Sequence, residues 1–134
     1  MQMDEAVTAF LDSWTEDPAG NREGFVQLRR TLAVQPGVQL EWVARPGVTY
    51  SLRGTDPARS RPLRVMVDVI EDEPRWLSVC FYADLVSDPA GQGAFVPGGL
   101  LGDDALCFDL ETSTPELLAY VGERIVEACR PADG

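Results

Sequence analysis

Met3, Ala6, Val7, Phe10, Leu11 and Trp14 recur at helical spacing, with Asp4, Glu5, Asp12 and Ser13 between them. That spacing places the apolar set on one side of a 3.6-residue turn and predicts an amphipathic helix over 3–15, stopped by Asp17-Pro18. Phe25, Leu28 and Leu32 repeat the pattern while Arg29 and Arg30 turn outward. Asn21 reads as the N-cap of this second helix and Pro36-Gly37 as its end, so the two helices make a hairpin.

After Gly37 the period changes to two. Val38, Leu40, Trp42 and Ala44 alternate with Gln39, Glu41 and Val43, Arg45-Pro46-Gly47 turns the chain, and Val48, Tyr50 and Leu52 alternate again. A β-hairpin follows, and a three-residue loop pairs Trp42 with Tyr50 and Leu40 with Leu52. Beyond the polar connection 54–61, two strands run from Leu63 to Ile70 and from Trp76 to Ala83. Pairing Ile70 with Trp76 lines Leu63, Val65, Val67, Val69, Leu77, Val79, Phe81 and Ala83 along one uniformly apolar face. The opposite face then collects Arg64 across from Tyr82, Met66 across from Cys80, Asp68 across from Ser78, and Ile70 beside Trp76. A face so mixed is not an ordinary solvated one.

Residues 84–103 hold five glycines and two prolines around Phe95, Val96, Leu100 and Leu101. They read as a long loop docked by its apolar residues, since structureless loops of this length are uncommon in compact domains. Ala105–Leu110 makes a last strand, and Thr114-Pro115 opens a helix whose inner stripe is Leu117, Leu118, Val121, Ile125 and Cys129. The expected fold is a single α+β domain over 1–134. It has two layers, an antiparallel sheet of about five strands with the helical hairpin and the C-terminal helix on one face.

Composition narrows the chemistry. All eleven cations are arginines, there is no histidine, and twenty-two carboxylates bring the net charge to −11. A histidine base or metal ligand, a Schiff-base lysine and a phosphate-loop lysine are excluded. Such gaps also arise from genome composition, so they restrict mechanism without revealing purpose. The charge repels nucleic acid and anionic lipid. No basic leader or apolar run of membrane length is present, and the cytoplasm is the expected address. Cationic residues gather in 42–65, which carries +4, while 66–134 carries −11. Cys80, Cys107 and Cys129 show no CxxC spacing and read as buried free thiols filling the core. Asp103, Asp104, Asp109 and Glu111 lack a metal-loop pattern, so neither a metal nor another cofactor is expected.

What remains is the mixed face. Arg64, Met66, Asp68, Trp76, Cys80 and Tyr82 form the candidate binding surface, with no catalytic residue assigned. An apolar patch of this size calls for a cover, whether a second subunit, the 84–103 loop or a ligand. The first expectation is a non-enzymatic acidic module acting through its sheet face as a homodimer or protein-binding domain. The alternative is a binder of a small anionic ligand, or an enzyme, with a groove under the 84–103 loop lined by Asp68, Arg64 and Tyr82. In architecture and charge the chain is similar to bacterial secretion chaperones, which are dimeric protein-binding modules.

Overall fold

A computed structural model describes residues 2–130. Three helices, α1 (Gln2–Ser13), α2 (Asn21–Ala33) and α3 (Pro115–Ala128), accompany six strands. The strands are β1 (Gln39–Arg45), β2 (Thr49–Thr55), β3 (Leu63–Ile70), β4 (Trp76–Tyr82), β5 (Ala94–Leu100) and β6 (Asp103–Leu110). All neighbours are antiparallel, in the order β1-β2-β3-β4-β6-β5. The α+β class therefore holds, with six strands where the sequence pattern predicts five.

The extra strand is β5, inside the stretch read as a loop. Six of its seven residues are exposed, so it carries no burial period to detect. It returns into β6 through Leu101-Gly102, both at positive φ (52° and 90°), the geometry of a tight hairpin turn.

In the first hairpin the loop is Pro46-Gly47-Val48, so Arg45 pairs with Thr49 and Trp42 with Leu52. This slides the expected register by two residues, which leaves every side chain on its expected face. Gly47 sits at φ 82°, and Arg45 stays extended before Pro46 because the loop begins after it. The β3–β4 pairing of Ile70 with Trp76, Val69 with Leu77, Asp68 with Ser78, Val67 with Val79 and Met66 with Cys80 is as the sequence predicts.

One cluster joins the odd-numbered side of β3 and β4 to all three helices. It includes Val7, Phe10, Phe25, Leu28, Leu32, Leu52, Val67, Leu77, Val79, Phe108, Val121 and Ile125. Gly54 in β2 lets α2 approach closely, since a Cβ there would lie 2.7 Å from a Leu32 methyl. Each fully buried large apolar side chain is worth roughly 1.5–3 kcal/mol.

Polar ties fix the ends of this core. Asn21 is fully buried, and its side chain is not the helix cap that its position predicts. Its amide donates to the Arg75 and Glu111 carbonyls at 2.9 Å each and accepts from the Ser113 hydroxyl at 2.6 Å. Asp17 caps α2 instead, accepting from the Arg22 and Glu23 amides. Thr114 caps α3 through the Leu117 amide, as expected.

Because Asn21 links three separate segments, Asn21→Ala leaves two carbonyls and a hydroxyl unpaired in the interior. The expected loss is about 3 kcal/mol, read as a lower urea midpoint at unchanged slope. A loss under about 1 kcal/mol contradicts the assignment of Asn21 as a structural tie.

Candidate functional site: the open face of the sheet

The strand pairing arranges the second face in three rows. Val43, Ser51, Asp68, Ser78 and Asp109 make the middle one, crossing β1-β2-β3-β4-β6. Glu41, Arg53, Met66, Cys80, Cys107 and Ala94 flank it on one side. Arg45, Thr49, Ile70 and Trp76 flank it on the other. Alternation along each strand, with the core side chains facing the helices, puts these rows on the opposite side. Met66, Asp68, Ile70, Trp76, Ser78 and Cys80 are each half-buried there, shielded by their neighbours in the sheet.

Of the expected site residues, the structure brings Met66, Asp68, Trp76 and Cys80 onto this face. Tyr82 lies at its end, buried with Leu63, Leu100 and Ala105 in a small second cluster. Arg64 goes elsewhere. The ladder shifts register at Gly54/Thr55, and the Arg64 guanidinium turns to the end of α3, donating to the carbonyls of Ala128 and Arg61. Arg61 takes the place the sequence predicts for Arg64, with its guanidinium 4.1 Å from the Tyr82 ring centre and Asp84 at 2.7 Å.

The 84–103 segment does not roof the face either. Its first part docks on α3, where Asp88 accepts from the Tyr120 hydroxyl, Ser87 bonds Glu127, and Arg124 donates to the Ser87 carbonyl. Leu85 at its start and Leu100 near its end pack into the Tyr82 cluster at the edge of the face. Asp68, Arg64 and Tyr82 are thus not brought together under this segment.

The cysteines correct a second expectation. Cys80 and Cys107 are directly paired on β4 and β6, with Cα atoms 4.1 Å apart, and form a disulfide. Cys129 alone is a buried free thiol. A signal was present in the sequence: Phe108 and Leu110 point inward, which turns Cys107 to the face that carries Cys80. What was missing was the adjacency of β4 and β6, which depends on β5 lying at the edge.

Asp68 is the ionisable centre of the face. Burial raises its pKa above the ordinary carboxylate value, and the Ser51 hydroxyl, Arg53 and Arg45 pull the other way. Its Oδ1 is buried and makes no hydrogen bond among the described residues. The hydroxyl that counters burial is that of Ser51 on β2, beside Asp68 in the middle row.

A separate concavity of about 800 Å³ lies between 13–18 and 71–75. Arg75 lines it, held by both Glu71 oxygens at 2.8 and 3.0 Å. The guanidinium also lies 5.0, 5.3 and 5.5 Å from the rings of Phe10, Trp14 and Tyr50. Pairing with Arg75 lowers the Glu71 pKa. Nothing in the sequence marks this guanidinium, because its aromatic partners come from α1, the residue that follows it and β2.

Comparison with protein-family models, curated proteins and solved structures gave no match.

A raised folded-state pKa means that Asp68 favours folding while protonated and loses that contribution as pH rises through it. Asp68→Asn is therefore expected to be more stable than wild type at pH 7. The difference should vanish below the ordinary carboxylate value of 3.8. Urea unfolding at both pH values checks this, and a destabilised Asp68→Asn at pH 7 contradicts it.

Proposed function

We propose that the protein is a non-enzymatic, acidic, cytoplasmic module that works through the open face of its sheet, and that the face is occupied by a second copy of the chain. The observation that carries the reading is the row structure of this face, where the pairs Met66–Cys80 and Ile70–Trp76 lie half-exposed on either side of Asp68–Ser78. The reading takes α1, α2 and α3 to lie together on the other face, supported by their shared core with Val67 and Val79. Apolar surface left on a sheet, here the pairs Met66–Cys80 and Ile70–Trp76 on either side of the polar row, is costly in water and marks an interaction site.

Size and charge both favour self-association. Six strands about 4.8 Å apart and roughly seven residues long span roughly 29 by 23 Å, on the order of the ~800 Å² that each partner gives to a stable interface. The charges are divided across the sheet, with Arg45 and Arg53 on β1 and β2, and Asp109 on β6. A twofold axis running along the strands between β3 and β4 lays β1-β2 of one copy over β6-β5 of the other. Arg45 then approaches the partner's Asp109, while Met66, Ile70 and Trp76 meet their own kind. Arg45 and Asp109 make no ion pair among the described residues. No helix among these residues is long and apolar enough to cross a membrane.

Sedimentation equilibrium tests the reading. The wild type is expected to be a dimer, and Ile70→Arg a monomer with unchanged circular dichroism. Asp109→Arg alone should weaken the dimer about fivefold, near the roughly 1 kcal/mol of a rim ion pair. Pairing it with Arg45→Glu should restore the affinity. A wild type that stays monomeric at every concentration overturns the proposal.

A further inference from the structure

We propose that Cys80 and Cys107 form a reversible two-electron thiol–disulfide site on the open face, which exchanges with dithiols without unfolding the chain. Their Cα separation of 4.1 Å is that of a close, non-hydrogen-bonded antiparallel pair. From behind, the two strands are held by Val79, Phe81, Phe108 and Leu110, all essentially inaccessible to solvent. Core packing and the β4–β6 ladder therefore keep the two sulfurs within reach in either redox state. From the front, both cysteines are half-buried only, which leaves a path for a reductant. In a reducing compartment, such as the cytoplasm proposed above, an accessible disulfide cycles; a fold-bearing one is the exception.

Cys129 provides the contrast. It is buried at the end of α3, and burial pushes its thiol up to about 11, with Arg64 pulling the other way. At neutral pH it stays protonated and takes no part in exchange.

Ser78 gives the reaction a direction. Its hydroxyl lies 3.6 Å from the Cys80 sulfur, and in the disulfide only the hydroxyl has a proton to donate. A thiolate of the dithiol attacks Sγ of Cys107, the S–S bond breaks, and the bonding pair moves to Sγ of Cys80. The Ser78 hydroxyl stabilises this thiolate until solvent protonates it. The second thiol of the reductant then attacks its own sulfur in the mixed disulfide. Cys107 leaves as a thiolate and takes up a proton, and the reductant departs as a disulfide. Two electrons and two protons pass to the chain.

The site does not rest on self-association, so it is tested at dilutions where sedimentation shows monomer. Protein oxidised with diamide is treated with dithiothreitol and labelled with N-ethylmaleimide, and the labels are located by mass spectrometry. Cys80 and Cys107 are expected to label together in the native protein with unchanged circular dichroism, and Cys129 only in urea. The Cys80→Ser/Cys107→Ser double variant should fold and take no label without urea. Ser78→Ala should slow reduction about threefold, and Ser78→Thr should restore it. Labelling of Cys80 and Cys107 before any reductant is added, or only in urea after it, overturns the site. An unchanged rate in Ser78→Ala overturns Cys80 as the leaving sulfur.

Discussion

β3 and β4 pack one apolar side into a core shared with residues of all three helices, and their other side is partly apolar as well. Val65, Val67, Val69, Leu77, Val79 and Phe81 are fully buried in that core. Met66, Ile70, Trp76 and Cys80 alternate with them on the same two strands and keep partial contact with water. Sealing one side of a sheet is enough for folding. It leaves the other side with surface whose burial still releases free energy, and the proposed self-association rests on that imbalance.

Arginine serves as the interior cation of a chain without lysine. Its planar fork bonds and its faces stack, so one side chain can satisfy a carboxylate and an aromatic wall together. Arg75 does this between Glu71 and the Phe10, Trp14 and Tyr50 rings, joining the β3–β4 turn to α1. Arg124 does it between Glu127 and Tyr120, tying the connection before β5 to α3. With Asn21, these groups tie the helices to the strand connections. They explain how a strongly acidic chain uses its few cations where misplacement would cost most.

Elements whose signal lies in their own periodicity were legible in the sequence: α1, α2 and α3 from their apolar stripes, and β3 and β4 from strict alternation. The central rows of the open face follow from the parity of Met66, Asp68, Trp76 and Cys80. Features set by distant partners were hidden. β5 is an exposed edge strand that borrows its order from β6. The bulge at Gly54/Thr55 sends Arg64 behind the sheet, and no local pattern announces it. Cys80 meets Cys107 only because β5 lies outside β6, leaving β4 beside it. Loop placement was similarly non-local, since Asp88 and Ser87 are drawn to α3 by Tyr120 and Glu127.

Hydroxyl-radical footprinting across a dilution series measures most directly whether the open face is covered in solution. Self-association requires Met66, Ile70 and Trp76 to lose reactivity as protein concentration rises, while Val34, exposed at the end of α2, stays constant. Reactivity at Met66, Ile70 and Trp76 that does not change with concentration would contradict the account.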